Sequence, residues 1–250
     1  GYTGLARKNP YLAAELYLKR AGYKVSSANG SINTDQKNSI IFSPASSLST
    51  VAEAENMSDW IHDGGHYLCL LERGEDFWND VGSMYQHDPK EWQKITDKKK
   101  QSGIELLLSE AELLLVDSET DFEISNKVDI KVAKGIELPY TESVVLLTDD
   151  EKEFDMELGG TRLLTPKDAV YYSTDWYDDA EQHHIFSRLL GDGRITFISD
   201  GRLFRNPYLG IAEHSYFLDY LASDSGGEMI FSLGKVRSFT SMLGAYAWPA

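Results

Sequence analysis

The stretch SSLSTVAEAENMSDWIHDGGHYLCLL, residues 46–71, constrains the fold more than any other part of the chain. Thr50 and Glu53 stand at the spacing of a capping box, in which a hydroxyl and a carboxylate each satisfy a backbone N–H at the start of a helix. Val51, Ala54, Met57 and Ile61 then recur at helical spacing, Gly64-Gly65 supply an exit, and HYLCLL returns at once as an apolar strand. Just before this, SIIFS at 39–43 is a compact apolar run stopped by Pro44, as suits a strand buried on both faces. Strand, helix and strand in this order is a βαβ unit, which requires two parallel strands with the helix crossing over their sheet.

Similar signals recur toward both ends. Asn9-Pro10 predicts the start of a helix over YLAAELYLKRA, with Gly22 as a left-handed stop, and YKVSS follows as a strand. DDAEQHHIFSRLLG reads as a helix, with Asp178 and Glu181 as its capping box and Ile185, Phe186, Leu189 and Leu190 as its apolar face. RITFIS then reads as a strand, IAEHSYFLDYLAS as a helix and GEMIFSL as a last strand. The expected fold is α/β: an open, mostly parallel sheet with strands near 23–27, 39–43, 66–71, 194–199 and 228–233, and helices on both faces. Residues 1–73 and 176–250 would form this core.

Residues 74–175 differ in character. A segment holding Trp78, Trp92 and the KITDKKK run reads as helical or irregular. After it, IELLLSEAELLLV, FEISNKVDIKVA, IELPYTESVVLLTD and RLLTPKDAVYYS alternate apolar and polar residues between turn signals, which is antiparallel β character. This segment is expected to be an inserted acidic subdomain of mixed helix and antiparallel strand. The net charge of −16 is concentrated here, since residues 72–160 hold 23 acidic and 10 basic side chains. A surface of that sign repels phosphate backbones, which argues against nucleic acid and leaves a solubilising face or a dock for a basic partner. No run approaches about 18 apolar residues, the length of a membrane span. The absence of an initiator Met and of a signal peptide suggests an excised or processed chain.

Cys69 is the only cysteine and lies mid-strand between leucines, where desolvation raises a thiol pKa and hinders attack. No G-x-S-x-G occurs, and ISDG puts Ser199 and Asp200 at a strand end without the flanking glycines of a nucleophile elbow. His183-His184 are adjacent and project apart on a helix, and His62 and His66 are separated by Gly64-Gly65, so neither pair suits a metal. Asp175, Asp178 and Asp179 lack the spacing of a calcium loop. There is no dinucleotide fingerprint and no P-loop, so no cofactor is expected. What remains is the crevice beyond the carboxyl ends of the strands, where Ser43, Glu72, Arg73, Asp200, Arg202, Asn206 and His214 are expected.

Three segments together resemble a known family: NPYLAAELYLKRAGYKV, IIFSP through SLSTVAEAENMSDWIHDGGHYLCLLE, and GRITFISDGRLFRNPYLGIAEHSYFLDYLA. They are similar to the bacterial domain of unknown function numbered 4350, whose fold is like that of class I glutamine amidotransferases without the catalytic triad. The resemblance implies a domain held between two membrane helices on the outer side of the bacterial inner membrane, often encoded beside MoxR-type ATPases. The residues and the resemblance together give a non-catalytic interaction or sensory domain as the expected function. The alternatives are a binding domain for a small sugar or nucleotide in the strand-end crevice, and a hydrolase or amidotransferase using Glu72, Asp200 and His214.

Overall fold

The computed structural model describes residues 9–28, 39–48, 50–71, 102–117, 142–158, 162–168, 175–179, 182–224 and 228–232. Helix α1 (Leu12–Ala21) ends at Gly22, whose φ of +95° is the left-handed stop the sequence predicts. Strands β1 (Lys24–Ala28) and β2 (Ile40–Pro44) follow, then a 3-10 turn at Ala45–Ser47 and helix α2 (Val51–His62). Both bonds of the Thr50–Glu53 capping box are present. Gly64 turns the chain with φ of +107°, and Gly65 lies so close under Trp60 that a Cβ there would meet the indole at 2.4 Å. Strand β3 (His66–Leu70) then runs parallel to β2.

The remaining elements are α3 (Ser102–Glu110), β4 (Leu113–Asp117), β5 (Glu142–Leu147), β6 (Glu153–Leu158), β7 (Arg162–Pro166), β8 (Trp176–Asp178), β9 (Ile185–Leu190), β10 (Gly193–Ile198), α4 (His214–Asp224) and β11 (Glu228–Ser232). Among the described residues nine strands form one mixed sheet in the order β1-β11-β2-β3-β10-β9-β8-β5-β6, and β4 and β7 form a separate antiparallel pair. The first five are mutually parallel and are the five strands expected from the sequence. The last four join antiparallel. Strands β5 and β6, from the segment expected to be an inserted subdomain, thus continue the main sheet. The stretches with Trp78, Trp92 and KITDKKK, and FEISNKVDIKVA, lie outside the described residues.

Alternation along the strands divides the core in two. On one face α1 and α4 cover Phe42, Leu68, Ile198 and Phe231, with Tyr11 edge-on to Phe42. On the other, α2 and α3 cover Ile41, Tyr67, Cys69, Ile195 and Phe197. Helices therefore lie on both faces, as a parallel sheet demands.

Two local expectations are corrected. The helix expected over DDAEQHHIFSRLLG is replaced, among the described residues, by the end of β8 at Asp178 and by β9 over residues 185–190, hairpinned to β10 through Gly191 at φ +62°, while Glu181 lies outside the described residues. Five of the six residues of β9 are buried, because it lies inside the sheet and both its faces are covered. Apolar residues at 185, 186, 189 and 190 fit such a strand as well as they fit a helical stripe, so the spacing could not discriminate. IELLLSE is helical and not a strand, because Ile104, Leu107, Leu108 and Ala111 make one stripe against α2.

The β5–β6 turn is docked on the core by its acids. Asp149 accepts hydrogen bonds from Trp176 Nε1 at 2.8 Å and Arg194 Nη2 at 2.8 Å, and the Arg194 guanidinium lies 4.1 Å from the Trp176 ring centre. Asp150 accepts from the Tyr220 hydroxyl at 3.0 Å and pairs with Lys152 at 2.8 Å. Part of the acidic surplus therefore joins the antiparallel half of the sheet to the parallel half.

Candidate functional site

The carboxyl ends of β3 and β10 lie side by side, joined by a hydrogen bond from Leu71 N–H to the Ile198 carbonyl. Residues 199–213 leave β10 as a run of turns and lead into α4. In this run Asp200 and Arg202 form a bidentate pair, Nε to Oδ1 at 2.7 Å and Nη2 to Oδ2 at 2.6 Å, with the Arg202 amide also donating to Oδ1. Both residues are buried, and the guanidinium lies 5.4 Å from the Tyr208 ring centre. Burial alone would lower the Arg202 pKa, but its bonds and attraction to Asp200 outweigh this and hold it above the usual value.

Asn206 turns back onto the first helix. Its Oδ1 accepts from Ala13 N–H at 2.8 Å, its Nδ2 donates to the Asn9 carbonyl at 3.0 Å, and its own N–H donates to the Pro10 carbonyl at 2.7 Å. Asn9, expected to cap α1, takes the Tyr11 N–H, so two asparagines nearly 200 residues apart share that helix start.

His214, 1% exposed, uses both ring nitrogens on backbone groups. Nδ1 lies 2.9 Å from the Tyr208 carbonyl, and Nε2 accepts the Glu157 N–H at 3.2 Å. A carbonyl can only accept and an amide N–H only donate, so the ring is neutral with its proton on Nδ1. Burial holds its pKa below the usual histidine value, with the Tyr208 bond opposing.

Ser43 is placed elsewhere. It is fully buried on the α2 face of β2, with its hydroxyl 2.8 Å from the Tyr67 hydroxyl and Cys69 opposite it on β3. Burial pushes the Cys69 thiol up to about 12. Glu72 and Arg73 lie outside the described residues. The structure therefore groups Asp200, Arg202, Asn206 and His214 around one run of turns and leaves Ser43 inside the core.

One pairing was missed from the sequence. His184 Nδ1 lies 2.8 Å from Ser199 Oγ, just past the ends of β9 and β10. The hairpin pairs Ile185 with Ile198, so residues 184 and 199 are the next rung. Recognising LLGDGR as a hairpin turn would have brought them together. The Asp178 carboxylate takes the backbone N–H groups of His184 and Ile185 and lies 3.2 Å from His183 Nδ1. The neighbouring aspartates are also engaged: Asp175 binds Arg188, and Asp179 accepts from Val145 N–H. His66 Nε2 bonds Thr196 at 2.8 Å. Among the described residues no group of three or more His, Cys, Asp or Glu side chains could hold a metal ion, and no helix is long and apolar enough to cross a membrane.

Comparison with known proteins gives a family match over most of the chain. The model of the family described as "Domain of unknown function (DUF4350)" matches residues 4–222. No curated protein matches the chain. Solved structures with partial similarity include the exo-beta-1,4-mannosidase Op5Man5 from Opitutaceae bacterium strain TAV5, at 14% identity and TM-score 0.40, covering 90% of this chain and 31% of that one. A beta-galactosidase from Bacillus circulans sp. alkalophilus matches at 9% identity and TM-score 0.40, covering 91% and 29%. The mmIFT52 N-terminal domain matches at 15% identity and TM-score 0.39, covering 89% and 82%. The chain thus spans under a third of the mannosidase and galactosidase chains.

Proposed function

The chain belongs to the DUF4350 family, and from that membership and the strand-end geometry we propose that it is a non-enzymatic interaction or sensory domain of a membrane-anchored bacterial protein. One observation carries this reading. Among the described residues expected at the strand ends, Asp200 is engaged with Arg202, and His214 with the Tyr208 carbonyl and the Glu157 amide. A general acid or base needs a nitrogen or oxygen directed at a substrate, and these are directed at the fold. The five parallel strands with helices on both faces support a glutamine amidotransferase-like architecture. The same reading puts the domain on the outer side of the inner membrane, in a membrane-associated assembly linked to a MoxR-type ATPase system.

The test is recovery of membrane partners by the full-length protein, compared with a variant carrying Glu151→Gln, Glu153→Gln and Asp155→Asn on the exposed acidic surface. Loss of a reproducible partner in the variant supports the reading, and identical recovery removes that surface from it. A second reading, a serine hydrolase, is favoured by the 2.8 Å contact between Ser199 and His184. Labelling of Ser199 by a fluorophosphonate, abolished in Ser199→Ala, would establish it in place of the first.

A further inference from the structure

An edge strand presents a row of unpaired backbone groups, and proteins cover such rows to prevent unwanted pairing. Strand β6 is the last in its sheet, bonded to β5 on one side only. Its outer side is closed by two consecutive residues at the start of α4. Glu213 carboxylate accepts the Asp155 N–H at 2.8 Å, and Glu213 N–H donates to the Asp155 carbonyl at 2.9 Å. His214 Nε2 accepts the Glu157 N–H at 3.2 Å. Asp155 and Glu157 are two apart, so these are the alternate amides that point away from β5.

Among these bonds, the one to His214 ends on an imidazole lone pair, which a proton can occupy. We propose that His214 is a pH-operated latch on the outer edge of β6: protonation of Nε2 removes the acceptor for the Glu157 amide and frees the edge at that residue, while Glu213 keeps its bonds to Asp155. The imidazolium would face an N–H dipole end-on, with both ring nitrogens now donors and only the Tyr208 carbonyl to receive them. The charged and titratable groups around the ring are Asp200 and Arg202 from the run of turns, Tyr208, Glu157 on β6 and the adjacent Glu213. Asp200 favours the proton and Arg202 opposes it, and burial opposes it most. The latch therefore opens below the ordinary histidine range. The Nδ1–H bond to the Tyr208 carbonyl is kept on protonation, so the ring stays tied to the strand-end turns while the Glu157 amide is released.

Hydrogen exchange on the whole chain, read amide by amide and corrected for intrinsic rates, tests this between pH 7.5 and 4.5. Protection at Glu157 should fall at least tenfold more than protection at Phe42 in β2. A fall shared equally by both, or none at either, overturns the proposal. In His214→Gln the side-chain carbonyl accepts the same N–H without titrating, so the pH-dependent difference should vanish, and its persistence also overturns the proposal. If that variant does not fold, the wild-type imidazole followed by NMR decides. Its titration midpoint must coincide with the midpoint of Glu157 exchange, and separate midpoints refute the latch.

Discussion

His66 offers a quantitative expectation. It opens β3 with Nε2 on the Thr196 hydroxyl and its ring edge-on to Trp176, centroids 5.7 Å apart. Burial, and then the charge of Arg194, lower its pKa from 6.5 to about 3. The folded value lies below the unfolded one, so the unfolded chain takes the proton first. The stability owed to the neutral ring is complete above the unfolded pKa of 6.5 and is lost as pH falls toward about 3. At roughly 1.4 kcal/mol per pKa unit, about 2 kcal/mol goes between pH 8 and pH 5, and about 4 kcal/mol by pH 3. The side chain keeps some exposed surface, so these are upper values. Urea unfolding of the wild type and of His66→Gln at pH 8, 7, 6 and 5 isolates the term, because the other histidines cancel in the difference. The gap between the two proteins should move by about 2 kcal/mol against the wild type on going to pH 5. A gap independent of pH over that range would refute the buried neutral imidazole.

Other outcomes follow from the same geometry. Asn206→Ala removes two side-chain bonds at the start of α1 and should cost about 1–2 kcal/mol in chemical denaturation, with loss of amide protection at Ala13. Arg202→Ala strands the buried Asp200 carboxylate and should cost about 3–5 kcal/mol, while Asp200→Asn with Arg202→Ala should cost less than the sum of the single changes. Additive losses would mean the pair is not coupled. The Cys69 thiol should react with a neutral disulfide reagent at pH 8 only as fast as the protein unfolds, and rapid labelling of the native state would contradict its burial.

The parallel half of the fold was readable because its signals are local. Thr50 with Glu53, Gly22, and the Gly64-Gly65 exit each act within a few residues, and each stands where the sequence puts it. The β9 error has a different origin. A strand buried on both faces loses the alternation that marks strands, and Ile185-Phe186 with Leu189-Leu190 then imitates a helix stripe. Likewise IELLLSE shows three leucines in a row, and only the neighbouring α2 decides which of them face inward. For the site, Asp200, Arg202, Asn206 and His214 were found because strand ends can be located from strand runs. The roles of Asn206 and His214 could not be, since their partners, Ala13 and Glu157, are 193 and 57 residues distant. Asp149 and Asp150 were lost in a general surplus of charge, because counting acids cannot separate those that meet water from those that meet Trp176 and Tyr220.

The Asn206 staple has a mechanical consequence. Three short bonds tie one side of the turn to the first residues of α1, and hydrogen bonds tolerate only a few tenths of an ångström before weakening. The turn and the helix start must therefore shift as a rigid couple or separate at a cost of several bonds at once. Tension entering at the start of α1 is thus borne first by the segment beyond β10, ahead of the sheet behind it.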